Sequence, residues 1–351
     1  MSKVIRVLVV DDSALVRNIL KDGLSLDPNI EVVGTAADPY IARDKIVELR
    51  PDVMTLDVEM PRMDGVAFLR KLMPQYPIPT VMVSSLTQRG KQITMDALEA
   101  GAVDFVAKPT SNVAAGLNSM LLELRAKIKI ASTANVSHWK GKRPIQSQQS
   151  TATARPLAES TDKIIAIGAS TGGTEAIRRV IETFPATTPG VVIVQHMPPG
   201  FTKMFSDRLN QLCQMQVKEA EDGDRVRTGL ILVAPGGMQM KVERSGGFYQ
   251  VRCGGSLKVS GHCPSVDVMM HSVAQHVGAN AIGAMLTGMG QDGAEGMLAM
   301  KNSGARCIAQ DEATSVVFGM PKVAYEKGGA ERLVALEKIA PALLSLLTEK
   351  R

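Results

Sequence analysis

Aromatic side chains are scarce in this chain: Phe, Tyr and Trp make up 3% of its 351 residues, and Trp139 is its only tryptophan. Any core must therefore be built from aliphatic residues and methionine, for which a hydrophobic content of 45% is ample. Cysteine is also sparse. Cys213, Cys253, Cys263 and Cys307 are scattered without CxxC spacing, which excludes a disulfide framework or a thiolate metal site and fits reduced thiols. His271 and His276 are five residues apart, so they do not share one helical face as a ligand pair would. No apolar run approaches the roughly 20 residues of a membrane span. The N-terminal stretch Val4 to Val10 is interrupted by Arg6 and followed at once by Asp11 and Asp12, unlike a signal peptide. These absences predict a cytoplasmic protein with no membrane insertion.

Charge of one sign is not concentrated either. The net charge of +5 divides into zero over residues 1–130, +3 over 131–161 and +2 over 162–351. A nucleic-acid footprint would need a denser basic patch, so no nucleic-acid partner is expected.

What is present is alternation. Strand-like runs at Ile5–Val10, Glu31–Ala36, Val53–Leu56, Thr80–Ser84 and Asp104–Val106 are separated by helix-like segments. That pattern predicts a five-stranded parallel sheet with helices on both faces. Residues 131–161, rich in Ser, Thr, Gln and Ala, have no hydrophobic period and read as a flexible linker. From residue 162 to 351 the alternation resumes less regularly, with a hairpin expected around Ser245-Gly246-Gly247. The second domain thus reads as doubly wound, mainly parallel α/β with a β-hairpin.

In the first domain, Asp11, Asp12, Asp57, Ser84 and Lys108 all fall at or just past strand ends, and so at the carboxyl edge of one sheet. Clustered carboxylates repel one another unless a cation joins them, and their hard oxygens suit Mg²⁺. A neighbouring lysine and hydroxyl can engage a phosphoryl group. The segments LVVDDS, LDVEMPRMDG, VMVSS and DFVAKP closely resemble a two-component receiver domain, of flavodoxin-like fold, across about residues 4–128. The resemblance implies that Asp57 is the phosphoacceptor. It implies Mg²⁺ held by Asp11, Asp12 and Asp57 with the backbone carbonyl of Glu59, and a switch set of Ser84, Phe105 and Lys108.

In the second domain, Ser170 lies in GASTGG, His196 in VQHMPPG and Asp292 in TGMGQDG, each at a turn marked by glycine or proline. Ser, His and Asp form the trio that makes a hydroxyl nucleophilic at neutral pH. A glycine-rich strand-to-helix turn also describes a dinucleotide-binding loop. That reading needs an acid at the end of the next strand, where Gln195-His196 stands instead. The order Ser, His, Asp also differs from the Ser, Asp, His of α/β-hydrolases. Ser170 could otherwise cap the following helix, and Asp292 could be the N-cap of the helix after Gly290.

The blocks IGASTGG, VQHMPPGFT, VAPGG, GHCPSVDVMMHS and LTGMGQDGAEGM resemble the chemotaxis protein-glutamate methylesterases, the CheB-type response regulators. The resemblance covers nearly the whole chain apart from the linker. It implies hydrolysis of glutamate methyl esters, and deamidation of particular glutamines, on methyl-accepting chemoreceptors, with a chemotaxis histidine kinase as phosphodonor. Backbone amides near Thr171, or in the Gly288–Gly290 loop around Met289, are candidates for the oxyanion site. No cofactor is expected for ester hydrolysis. A receiver-regulated transcription factor is the alternative. It would need a basic recognition helix, and no helix in 162–351 carries a basic stripe.

Overall fold

The computed structural model describes residues 3–85, 87–109, 113–141 and 162–349. The chain divides into two compact units, Met1–Gln148 and Gln149–Arg351. Each is described by itself.

The first unit alternates strand and helix throughout: β1 (Ile5–Val10), α1 (Ala14–Ser25), β2 (Ile30–Ala36), α2 (Pro39–Leu49), β3 (Val53–Asp57), α3 (Gly65–Leu72), β4 (Thr80–Ser84), α4 (Gln88–Glu99), β5 (Asp104–Ala107) and α5 (Val113–Ala131). The sheet is parallel in the order β2-β1-β3-β4-β5, so the winding reverses between β1 and β3. Short polar residues start the helices. Ser13, Asp38, Asp64 and Thr87 each accept a bond from a first-turn amide, and Pro39 presets the start of α2. Val7 to Val10 on β1 and Val81 to Val83 on β4 are buried on both faces, as a sheet covered by helices requires.

The expected linker start at residue 131 is corrected. Residues 132–141 pack on the first unit: Val136 is buried, and the Gly141 amide donates to the Pro74 carbonyl. A Cβ at Gly101 would come within 3.0 Å of the Trp139 ring, so tryptophan and glycine lie in close contact. The apolar residues Val136 and Trp139 have a surface to cover there, which their polar neighbours conceal in sequence. The rest of the expected linker, 142–161, lies outside the described residues.

The second unit runs β6 (Ile164–Ala169), α6 (Gly173–Ile181), β7 (Gly190–Gln195), α7 (Phe201–Leu212), β8 (Gln216–Glu219), β9 (Arg225–Val226), β10 (Leu230–Val233), β11 (Gln239–Ser245), β12 (Phe248–Gly254), α8 (Val266–His276), β13 (Ala281–Met285), α9 (Ala294–Asn302), β14 (Arg306–Gln310), α10 (Met320–Glu326), β15 (Leu333–Val334) and α11 (Leu336–Thr348). Seven parallel strands lie in the order β15-β14-β13-β6-β7-β10-β8. The expected hairpin is β11-β12, and it joins β9 in a separate antiparallel sheet.

The winding of the large sheet changes direction at β6, with β7 on one side and β13 on the other. Such a switch point opens a crevice outside the carboxyl ends of the strands. Ser170 follows β6, His196 follows β7, and the loop to Asp292 follows β13.

Two glycines make the approach to this edge possible. Gly172 (φ +77°) precedes α6, and Gly293 (φ +91°) precedes α9. A Cβ on Gly293 would lie 2.4 Å from Val266 Cγ1. Gly293→Ala combines backbone strain with this overlap and is expected to destabilise the second unit by about 2 kcal/mol. Urea unfolding of the full-length protein measures it.

Candidate active site

In the first unit, Asp57 is the last residue of β3, Asp11 follows β1, and Lys108 follows β5. The Lys108 ammonium lies 3.0 Å from both Asp11 Oδ2 and Asp57 Oδ1. Asp11, Asp12 and Asp57 each offer an oxygen within 4.8 Å of the others, the first and last buried and Asp12 exposed. Burial pushes the Asp57 carboxyl up to about 6. Lys108 opposes that rise and the Asp11 charge adds to it. A divalent cation would relieve this strain, so the donor set fits a hard metal ion. Burial alone would lower the Lys108 pKa, but the Asp57 and Asp11 charges hold it above its ordinary value. Glu59 stands two residues beyond β3, with its side chain exposed.

Ser84, at the end of β4, does not bond to the acidic cluster. Its hydroxyl accepts from Thr94 Oγ1 at 2.7 Å and lies 3.2 Å from the Gly90 carbonyl. Thr94, on α4, carried no signal in the sequence. Phe105 is buried on β5, with the Lys127 ammonium 5.0 Å from its ring centre.

In the second unit, the arrangement is built around Asp292, which is 2% exposed. Its Oδ2 accepts from His196 Nε2 at 2.7 Å and from the Val266 amide at 2.7 Å. Its Oδ1 accepts from Ser265 Oγ at 2.7 Å and from the Asp267 amide at 3.1 Å. The carboxylate thus sits on the N-terminus of α8, where unpaired amides and the helix dipole favour an anion. Burial alone would raise the Asp292 pKa. The hydrogen bond and charge of His196, with the Ser265 and Val266 donors, hold it below the usual carboxylate range. Gly293, not Asp292, is the N-cap of α9.

A carboxylate can only accept, so the bond to Asp292 places the proton on Nε2 of His196. Nδ1 is buried and has no hydrogen-bond partner among the described residues. The face of the ring is covered by His262, stacked with centroids 3.7 Å apart and planes 7° from parallel. Nothing in the sequence around His262 marks it for this position.

Ser170 occupies the tight turn between β6 and α6. Its amide donates to the Thr287 carbonyl at 3.0 Å, and its own carbonyl accepts from the Gly173 amide at 2.7 Å. Gly172 is the N-cap of α6 without a side-chain cap bond, so Ser170 is not consumed as a helix cap. Gln195 ties the two turns together: its Nε2 donates to the Ser170 carbonyl at 2.9 Å and lies 3.4 Å from that of His196. The loop after β13 is fixed in turn. The Thr287 amide donates to Gln310 Oε1 at 2.8 Å, and its hydroxyl to the Thr171 carbonyl at 3.0 Å. The Gly288 amide is engaged by the Val317 carbonyl, whereas the Met289 and Gly290 amides donate to no group among the described residues.

Fold and site define a class, a hydrolase unit built on a parallel sheet covered by helices and joined in one chain to a response-regulator receiver. The CheB methylesterase family matches residues 165–343, and the response regulator receiver domain family matches residues 7–115. A protein-glutamate methylesterase/protein-glutamine glutaminase of Syntrophotalea carbinolica is 72% identical over 100% of both chains. That of Salmonella typhimurium is 51% identical over 99% of this chain and 98% of its own. The crystal structure of the Thermotoga maritima CheB methylesterase catalytic domain, 38% identical, aligns with a TM-score of 0.52 over 53% of this chain and 100% of its own. The chain belongs to the protein-glutamate methylesterase/protein-glutamine glutaminase family, and it is an enzyme of the carboxylic ester hydrolase type.

Asp292→Asn removes a charge that accepts four donors, and is expected to lower stability by about 2 kcal/mol at neutral pH. The folded pKa of Asp292 is depressed, so its contribution is fully present above the unfolded value of about 4 and is lost as pH falls through the folded pKa. Urea unfolding of both proteins at several pH values checks that the difference shrinks only in acid.

Proposed function

We propose that the second unit hydrolyses glutamate methyl esters, and deamidates specific glutamines, on methyl-accepting chemoreceptors, through Ser170, His196 and Asp292. The observation that supports this reading is the His196–Asp292 bond at 2.7 Å, which leaves Nδ1, without a partner among the described residues, as the free ring nitrogen at the sheet edge that holds Ser170. That geometry supports the following roles. Nδ1 of His196 takes the hydroxyl proton as Ser170 Oγ attacks the ester carbonyl, and Asp292 stabilises the imidazolium through Nε2. The same proton then goes to the departing methoxide and leaves as methanol, or to the departing amide nitrogen and leaves as ammonia. Water, deprotonated by Nδ1, attacks the acyl-serine and restores Ser170. The Met289 amide, or an amide near Thr171, would hold the oxyanion, each such donor being worth roughly 3 kcal/mol of barrier.

We propose that the first unit regulates this activity by phosphorylation of Asp57 from a chemotaxis histidine kinase. Asp11, Asp12 and Asp57, with the Glu59 carbonyl, would hold Mg²⁺, whose charge offsets that of the incoming phosphoryl group. Lys108, already 3.0 Å from Asp57, would pair with the phosphoryl oxygens. Ser84 would leave Thr94 and Gly90 to donate to them, and Phe105 would follow. Among the described residues no helix is long and apolar enough to cross a membrane. Among the described residues no helix of the second unit carries the basic stripe that a transcription factor's recognition helix needs.

Ser170→Ala is expected to abolish methanol release from methylated receptor membranes while unfolding like the parent; substantial release would overturn the acyl-serine route. Asp57→Asn should take up no label from a small-molecule phosphodonor yet keep basal esterase activity. A chelator should block phosphorylation without stopping ester hydrolysis, and both are read from the same preparations.

A further inference from the structure

His262 lies outside the proposed triad, yet it is built toward it with care. It closes a two-residue hairpin in which Val259 and His262 exchange both backbone hydrogen bonds, at 3.0 and 2.9 Å. The two turn residues, Ser260 (φ +52°) and Gly261 (φ +85°), are both left-handed, as the tight turns that match strand twist require. Serine is costly at such a position. Here its hydroxyl donates to Asp267 Oδ2 at 3.0 Å. The base of the loop is held too, since Gln239 Nε2 lies within 2.9 Å of the Leu257 carbonyl and 3.2 Å of that of His262. The product of all this anchoring is one imidazole laid flat on another, 3.7 Å away and 7° from parallel.

We propose that His262 is a positioning residue that fixes the plane of the His196 ring, keeping Nε2 on Asp292 and Nδ1 turned to the serine side. The inference rests on the Ser170–His196–Asp292 reading. An imidazole held by one hydrogen bond can still rotate about that bond, and the bond to Asp292 alone leaves this freedom. A flat partner parallel to the ring removes it and keeps water from that face. The partner must be aromatic to do so, since an aliphatic side chain fills the volume without presenting a plane. It must also stay neutral, because a second cation would oppose the imidazolium that forms during turnover. The charged groups around His262 are His196, Asp292 and Lys258, with Asp267 reached through Ser260. Burial, followed by the His196 and Lys258 charges, pushes its pKa down to about 4 against the pull of Asp292. It is therefore neutral at pH 7.

The test compares His262→Leu, His262→Phe and Ser260→Ala in the full-length protein, with Ser170→Ala as control. Methanol release from methylated receptor membranes gives kcat and KM, and the rate of inactivation by phenylmethylsulfonyl fluoride reports the serine without receptor binding. His262→Leu is expected to lower kcat and the inactivation rate by about 30-fold with KM changed less than about 2-fold, in line with the cost of a misaligned catalytic group. His262→Phe is expected to restore both to within about 3-fold of the parent, with the acid limb of the kcat/KM profile in place. Ser260→Ala, which loosens the turn without touching the stack, should fall between. Parental kcat in His262→Leu overturns the proposal. So does equal loss in the Leu and Phe variants, which signals a purely structural role, or an acid limb displaced in His262→Phe, which signals that His262 itself titrates in the reaction. If His262→Leu does not fold, the Phe and Ser260→Ala results decide. Methanol release by Ser170→Ala would instead overturn the triad reading beneath it.

Discussion

A buried carboxylate seated on the start of a helix organises the second unit. Asp292 lies just before α9, yet its four acceptor contacts reach Ser265, Val266 and Asp267 at the start of α8, and His196 after β7. The arrangement is reciprocal, because Asp267 in the first turn of α8 accepts the Gly296 amide in the first turn of α9 at 2.8 Å. Each helix is thus capped by a carboxylate from the other. Burying an ion costs several kcal/mol unless its lone pairs are filled. At Asp292 four donors fill the lone pairs, two of them helix amides worth about 1 kcal/mol or more each. The outcome differs for the two acids. Burial and the Asp292 charge raise the Asp267 pKa despite the Gly296 amide, while donors and the imidazole lower that of Asp292. The negative charge therefore resides beside His196, where an imidazolium needs it.

The same constraint explains why small residues crowd this edge. For Asp292 to reach the α8 amides, α8 must come down onto the ends of β6 and β13. A Cβ at Gly168 would lie 2.3 Å from Val266 Cγ1, and one at Gly293 would lie 2.4 Å from the same atom. Val266 occupies the space that these two glycines leave, and its amide is one of the Asp292 donors. Packing and electrostatics are here one requirement, since neither glycine can grow without moving the amide from the carboxylate.

The strand ends were legible in the sequence because apolar runs stop at chemically distinct residues. That was enough to place Asp57, Ser84 and Lys108 on one edge and Ser170 and His196 on another. The α/β alternation was equally plain. What stayed hidden depends on tertiary contact. Asp292 before a helix reads as a cap for that helix, and only the approach of α8 reveals that it caps another. His262 sits in a loop of small and polar residues, and nothing local tells that its hairpin folds back over His196. The two-residue β15, the half-exposed edge strand β8 and the seven-residue α10 are too short for a period to show. Val136 and Trp139 were absorbed into a polar stretch, although both find cover on the first unit.

The first unit places the same chemical group in the opposite situation. Asp57, like Asp292, is a buried carboxylate at a sheet edge, but its neighbours are another carboxylate and one lysine rather than a helix end full of donors. Lys108 divides its charge between Asp11 and Asp57 at equal distances of 3.0 Å. With the Val58 amide as its remaining donor, Asp57 is left with burial dominant and a pKa raised to about 6. A fully satisfied carboxylate such as Asp292 is suited to hold a permanent charge. An under-satisfied one such as Asp57 is suited to gain a covalent partner or a cation, because either relieves a cost that the resting site already carries. Donor count thus separates the two aspartates: the first is a fixture of its site, and the second is the part of the molecule left open to change.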